Sequence, residues 1–321
     1  MRVTFLGSGD AFGNGGRHQT CILLETGTRR VLLDCGATSM LAMKRQGVEP
    51  LTLDAVLLTH LHGDHFGGLP FLILDAQFRR RTQPLVIAGP TGVEYRVLDA
   101  MEMMFPGSSR TGRRFEVQYL ELENRRPAAL AGISVKPYEV VHASGAPPLA
   151  LRVSAGDKVV AYSGDTEWTD ALLDVARAAD LFICEAYTFD KPVKYHLDYR
   201  TVMAHRSAFG CKRLVLTHLG PDMLARRRRR RRVRLRRAHD RSVSEIDQHE
   251  RDDSGKRLSH QDGTLRGRAA VQARDHDAPQ EERLQLEAPR PQAPQEPGRQ
   301  KAVVQALIRR KRIANTLRPT G

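Results

Sequence analysis

An α/β fold of two sheets packed face to face with helices outside, a four-layer αβ/βα sandwich, is predicted for the first 224 of 321 residues by three features of the sequence. Short apolar, β-branched runs alternate with longer stretches of helical spacing, so strands and helices are interleaved rather than segregated. Four of those runs are followed within three residues by histidine or aspartate, the pattern expected when strands stop at one edge of a sheet and deliver side chains to a single crevice. All four cysteines and every Phe, Tyr and Trp lie before residue 225, and a stretch of that length suffices for one domain with a substantial core.

The chain opens on paired strands at residues 2–6, 21–24 and 30–33, followed by a helix at 39–45. Ala55-Val56-Leu57-Leu58 is wholly apolar, which suits a buried strand running into a loop. Helices are predicted over 69–80 and 91–105, with Pro84 and Gly89 as punctuation between them. Runs at 135–141, 159–162 and 214–217 read as strands, with Ala155-Gly156-Asp157 as the tip of a simple hairpin. Two further helices are predicted over 169–178 and 200–209.

Thr59-His60-Leu61-His62-Gly63-Asp64-His65 places three imidazoles and a carboxylate within six residues at the mouth of the strand 55–58. These ligand types suit zinc, and also manganese or iron, and Gly63 allows the tight backbone from which four side chains converge. Downstream, His142 follows the run 135–141, Asp165 stands in Ser163-Gly164-Asp165-Thr166, and His218 ends Leu214-Val215-Leu216-Thr217. Taken singly, His142 or His218 reads as a satisfied core or surface histidine. Their repeated placement behind apolar runs, beside the first motif, makes them candidate metal ligands.

The H-x-H-x-D-H run, with His142, Asp165 and His218 behind it in that order, resembles the signature of the metallo-β-lactamase superfamily. The resemblance implies the fold of that name and a dinuclear hydrolase. One metal would be held by His60, His62 and His142 and a second by Asp64, His65 and His218, with Asp165 bridging and a metal-bridging hydroxide as nucleophile. Aspartate rather than cysteine at position 165 fits the members that hydrolyse phosphodiesters and thioesters, and argues against β-lactam cleavage. Two zinc ions are expected, with manganese or iron as alternatives.

Residues outside the ligand set resemble the ribonuclease Z and phosphodiesterase branch. They are Val3-Thr4-Phe5-Leu6-Gly7-Ser8-Gly9-Asp10, Leu32-Leu33-Asp34-Cys35-Gly36, Ala88-Gly89-Pro90, Glu185 in Cys184-Glu185-Ala186, and His196 in Tyr195-His196-Leu197-Asp198. In that branch such an acid and histidine help deliver a proton to the leaving oxygen, and the histidine also meets the phosphate. Asp64, His196 and Glu185 are therefore the candidate catalytic residues. From the residues alone, Glu185 reads equally as a buried hydrogen-bonded carboxylate. His18 and His205 lack such support and are left out of the site.

The tRNA-processing members carry a long glycine- and proline-rich arm between the third histidine and the bridging aspartate. Here only residues 143–164 separate His142 from Asp165, and the 76 residues between His65 and His142 read as ordinary helix and strand. The expected substrate is accordingly a smaller phosphodiester, such as a cyclic nucleotide or a short oligonucleotide. Two alternatives stand beside it: a thioester or lactone hydrolase of the same fold, and a basic nucleic-acid-binding protein whose metal domain is not catalytic.

Charge divides sharply near Leu224. Up to that residue there are 25 Lys and Arg against 24 Asp and Glu; from Ala225 onward there are 26 against 13, with no aromatic, Cys or Met. A segment so poor in apolar residues cannot offset its chain entropy, so 225–321 is expected to be a disordered tail that binds RNA or DNA nonspecifically through counterion release. The family's members end soon after the last histidine with a short helix and a closing strand, both of which are expected to be missing here, and this abrupt loss of patterning beside the run 226–232 suggests a frameshift in a GC-rich coding sequence. The basic groups Arg79-Arg80-Arg81, Arg113-Arg114 and Arg125-Arg126 read mainly as solvated ends of elements. Cys21, Cys35, Cys184 and Cys211 show no C-x-x-C spacing and read as buried free thiols. With no long apolar stretch and no signal-peptide pattern, cytoplasmic residence is expected, and the resemblance adds a homodimer.

Overall fold

The computed structural model describes residues 1–230, in which two six-stranded sheets stack between helices. The first sheet has the order β1 (Arg2–Gly7), β2 (Cys21–Thr26), β3 (Arg29–Leu33), β4 (Ala55–Leu57), β5 (Leu85–Gly89) and β6 (Val117–Glu121). Its first three strands are antiparallel; β3 through β6 run parallel, as connections through helices require. Those connections carry α1 (Ser39–Arg45), α2 (Gly63–Phe66), α3 (Leu69–Phe78) and α4 (Val93–Met104).

The second sheet is built from β7 (Ala128–Leu130), β8 (Ile133–Glu139), β9 (Leu149–Ala155), β10 (Lys158–Tyr162), β11 (Leu181–Glu185) and β12 (Leu214–Thr217), in the order β12-β11-β10-β9-β8-β7. Its meander β7 to β10 is antiparallel, while β10, β11 and β12 are parallel, connected through α5 (Ala171–Ala176) and α6 (Tyr199–Ala204). A further helix, α7 (Pro221–Arg230), follows β12.

Period-two alternation sorts the core into layers. Along β2, Ile22 and Leu24 join Leu33, Leu57, Leu151, Val160 and Ile183 in the space between the sheets. The intervening Cys21 and Leu23 pack outward against Met43, Leu69, Ile73, Val97 and Met101 of the helices. On the far side Tyr138, Ala161 and Phe182 meet Leu172, Val175, Val202 and Phe209. These apolar layers make the four-layer αβ/βα sandwich of the metallo-β-lactamase fold.

Several predicted elements change in the structure. The helices over 69–80, 91–105 and 169–178 are each trimmed at the ends. The helix over 200–209 breaks at His205, whose Nδ1 folds back onto the Thr201 carbonyl at 2.9 Å while its ring stacks on Trp168 at 3.6 Å. A 3₁₀ turn completes the span to Phe209. The short helix expected to be missing after His218 is present as α7, and it runs across the predicted boundary at residue 224. The rest of the predicted tail, with its disorder and its nucleic-acid binding, lies outside the described residues.

The basic groups serve the fold. Arg81 is buried and donates to the carbonyls of Leu51, Leu53, Gln83 and Pro84, Arg113 donates to those of Ser108 and Ser109, and Arg79, Arg125 and Arg126 pair with Glu49, Asp174 and Glu123. No helix among the described residues is long and apolar enough to cross a membrane. Cys21, Cys35 and Cys184 are buried free thiols as predicted, whereas Cys211 is half-buried.

Candidate metal centre

The first motif leaves β4 where Leu58 N–H donates to the Ala88 carbonyl at 2.7 Å and Thr59 N–H to Asp34 Oδ1 at 2.8 Å. Pinned there, the chain turns into α2, which carries Asp64 and His65 in its single turn. The loop after β3 passes directly beneath: a Cβ on Gly36 would stand 2.2 Å from the Asp64 carbonyl oxygen, so only glycine fits. His142 follows β8, Asp165 follows β10 and His218 follows β12. Gly164 reaches Asp165 through a positive φ of 60°, with Thr59 Cβ only 2.9 Å from where its own Cβ would be. His218 also adopts a positive φ, and its N–H donates to the Ser8 carbonyl.

All seven predicted ligands come together. Ligand atoms of His60, His62 and His142 lie within 4.8 Å of one another, and so do those of Asp64, His65, Asp165 and His218. His62 Nδ1 and His142 Nε2 approach to 3.0 Å. Asp165 Oδ2 stands between the two groups, 3.4 Å from His65 Nε2, 3.3 Å from His218 Nε2 and 4.0 Å from His60 Nε2.

The opposite nitrogens of three rings are already anchored, which fixes how each ring faces the cluster. His65 Nδ1 meets Asp34 Oδ2 at 2.7 Å, His142 Nδ1 meets the Tyr195 carbonyl at 2.8 Å, and His60 Nδ1 meets Thr59 Oγ1 at 3.1 Å. Thr59 Oγ1 in turn reaches Asp34, so one carboxylate supports two rings.

The inward-facing atoms fit a cation. His60 Nε2, His65 Nε2 and Asp165 Oδ1 are buried without a hydrogen-bond partner, an arrangement that costs stability unless something binds them. Burial holds the imidazoles of His60, His142 and His218 below their usual pKa, in the neutral form that ligates. For Asp165 and Asp64, burial is outweighed by the neighbouring histidines, and both carboxyls are held low. At His65, burial is outweighed by Asp165, Asp34 and Asp64, which raise it: this end of the cluster demands positive charge.

His196 and Glu185 stand beside the cluster as a pair. His196 Nδ1 lies 3.0 Å from Glu185 Oε2 and 4.0 Å from Asp165 Oδ2. Burial, reinforced by Asp165, pushes the Glu185 carboxyl up to about 8. Burial works against a charged His196, but the Glu185 hydrogen bond and charge prevail and its pKa is raised. Sequence reasoning missed Tyr187, whose ring lies 4.9 Å from that of His196, and Glu167, whose Oε1 accepts from Tyr195 N–H at 2.6 Å. Neither carries a motif; proximity to Asp165 and His196 along the chain is the only signal either offers.

The family described as anti-Pycsar protein Apyc1 matches residues 1–241. Ribonuclease Z of Methanosarcina acetivorans is 28% identical over 266 residues, covering 68% of this chain and 87% of its own. Among solved structures, the short form of human tRNase Z (ELAC1) superposes with a TM-score of 0.59 at 25% identity, over 69% of this chain and 93% of that one. The metallo-β-lactamase fold protein YhfI of Bacillus subtilis superposes with a TM-score of 0.59 at 22% identity, over 70% and 90%.

Proposed function

The chain belongs to the anti-Pycsar protein Apyc1 family, and from that premise we propose that this metal-dependent hydrolase of the metallo-β-lactamase fold cleaves small phosphodiesters, a cyclic nucleotide or a short oligonucleotide. The observation that carries this reading is the His196–Glu185 pair at 3.0 Å, set beside a two-lobed cluster of histidine and aspartate.

His60, His62 and His142 would hold one divalent cation and Asp64, His65 and His218 a second, with Asp165 shared between them. The donor set suits zinc, and manganese or iron after it. When bound, such a pair lowers the pKa of a coordinated water to near 7 and offsets charge on the attacking and leaving oxygens.

The protein's own groups supply the rest. Asp64 and Asp165, held low, keep their negative charge at neutral pH and gather the cations. Glu185 takes the Nδ1 side of His196 and leaves Nε2 for substrate. The Glu185 contact raises the His196 pKa and so favours its protonated form, which would present positive charge to the phosphate and donate its proton to the departing alkoxide oxygen. Thr166 N–H donates to Glu185 Oε1, which leaves Oε2 facing the imidazole.

Substrate size follows from the interval where a tRNA-binding arm would stand. Between His142 and Asp165 the chain forms only the β9–β10 hairpin, in which Ala155 pairs with Lys158 across a two-residue tip. That supports a small phosphodiester rather than a folded RNA body.

The test is hydrolysis of bis(p-nitrophenyl) phosphate by metal-reconstituted protein, then of cyclic nucleotides, with Asp64→Ala and His196→Ala alongside. Turnover of both substrates, abolished by Asp64→Ala, supports the reading. Two bound equivalents of metal without phosphodiester turnover would overturn it in favour of a thioester or lactone substrate.

A further inference from the structure

His142 and His196 sit on different elements, yet one strained peptide unit ties them together. Tyr195 adopts a φ of +70°, a left-handed conformation that a tyrosine holds only when its surroundings impose it. Its carbonyl accepts from His142 Nδ1 at 2.8 Å, and the next residue is His196. Tyr195 is held there by a turn in which His196 N–H donates to the Val193 carbonyl at 3.1 Å, and from outside that turn by Glu167, whose Oε1 accepts from its N–H at 2.6 Å.

Glu167 is tied on its own side to the same histidine. Its N–H donates to the Val141 carbonyl at 2.9 Å, and Val141 N–H donates to Thr166 Oγ1 at 3.0 Å, so the residue before His142 is bracketed by the two residues after Asp165. The turn Asp165-Thr166-Glu167 thus touches every part of the centre: Asp165 in the cluster, Val141 next to His142, Glu185 through Thr166 N–H, and Tyr195 next to His196.

We infer that Glu167 is a positioning residue that couples the first metal site to the proton donor, by holding the Tyr195 peptide where its carbonyl orients His142 and its chain delivers His196. The inference rests on the proposed metal-binding reading of the cluster and extends it to a residue that touches neither metal nor substrate. A carboxylate at 167 is well suited to the task, because a hydrogen bond to a charged acceptor is stronger than one to a neutral acceptor. Without it the strained peptide is free to relax, and the acceptor for His142 moves with it.

The test measures zinc affinity and stoichiometry by competition with a chromophoric chelator, on the full chain, for Glu167→Ala, Glu167→Gln and Tyr195→Gly. Glu167→Ala is expected to weaken one of two equivalents by about 10–100-fold, the range for loss of an outer partner of a metal-bound histidine, and to leave the other unchanged. Glu167→Gln keeps an acceptor oxygen and should lie near wild type. Glycine takes a positive φ without strain, so Tyr195→Gly in the Glu167→Ala background should recover affinity, an effect a merely structural role for Glu167 does not produce. Should Glu167→Ala fail to fold, the Glu167→Gln and double variants carry the same comparison. Two equivalents bound as tightly by Glu167→Ala as by wild type would overturn the inference while leaving the metal reading intact. Wild-type protein binding no metal would overturn the metal reading and the inference with it.

Discussion

Asp34 Oδ2 lies 2.7 Å from His65 Nδ1, both side chains fully buried, although the two residues are 31 positions apart. The same carboxylate accepts from Thr59 N–H and Thr59 Oγ1, and Thr59 Oγ1 lies 3.1 Å from His60 Nδ1. One residue outside the ligand set therefore orients a histidine in each half of the cluster. Asp34→Ala is expected to weaken metal binding by about 10–100-fold. Equilibrium dialysis checks this, with circular dichroism confirming that the variant is folded; affinity equal to wild type would remove Asp34 from the centre.

Replacing Glu185 by glutamine tests the proton donor through its pH dependence. Glu185 is the main influence raising His196 above its ordinary value. A general acid works only while protonated, so the rate falls as pH rises through the pKa of His196. Glu185→Gln removes the carboxyl group that shares its proton with His196 through the 3.0 Å hydrogen bond, and the alkaline fall in kcat for a cyclic nucleotide should move to lower pH. An alkaline limb that stays in place would show that another group donates the proton.

The Glu49–Arg79 pair predicts an acid-sensitive contribution to stability. The Arg79 hydrogen bond, helped by the Leu51 N–H, draws the Glu49 carboxyl down to about 2. Because the folded value lies below the ordinary 4.5, the stabilisation is present above pH 4.5 and is lost as the pH falls toward 2. Both side chains are exposed, so salt should screen most of it. Thermal melts of wild type and Glu49→Gln should differ slightly at pH 7 in low salt, and the gap should close in 1 M salt or as the pH falls to about 2.

Thiol chemistry should separate one cysteine from the other three. Burial raises Cys21 to about 12 and pushes Cys35 and Cys184 up as well, so none offers a thiolate at neutral pH. Cys211, half-buried at the end of the 3₁₀ turn after α6, is the reachable one. A maleimide reagent should label native protein at Cys211 alone and all four in denaturant, read by peptide mass mapping. Labelling of Cys21 at a comparable rate would contradict the packing against α1.

Phe209 anchors the outer helical layer. It is fully buried, and its ring packs edge-on to Phe182 at 5.0 Å. Phe209→Ala should cost about 3–5 kcal/mol in urea unfolding through the cavity it leaves. Metal stoichiometry in the folded fraction should be unchanged, since Phe209 packs in the outer layer with α5 and α6 rather than in the cluster.

The sequence by itself determined the architecture and the chemistry of the cluster. Continuous apolar strands such as Cys21-Ile22-Leu23-Leu24 announce a sheet buried on both faces, because side-chain direction repeats every second residue and each face here is apolar. His60, His62, Asp64 and His65 were legible because few residue types bind metals and their spacing is local. His142, Asp165 and His218 were legible because each follows a strand ending at the same edge. The helix breaking at His205 was not legible, since the stacking of Trp168 that accompanies it comes from a separate segment. Nor were the roles of Asp34, Glu167 and Tyr187, which belong to residue types found everywhere in proteins. Each acquires its role only when folding brings it within hydrogen-bond or ring-contact distance of a particular histidine or of the peptide that orients one, and such contacts, 28 or 31 positions apart along the chain, leave no periodic trace in it.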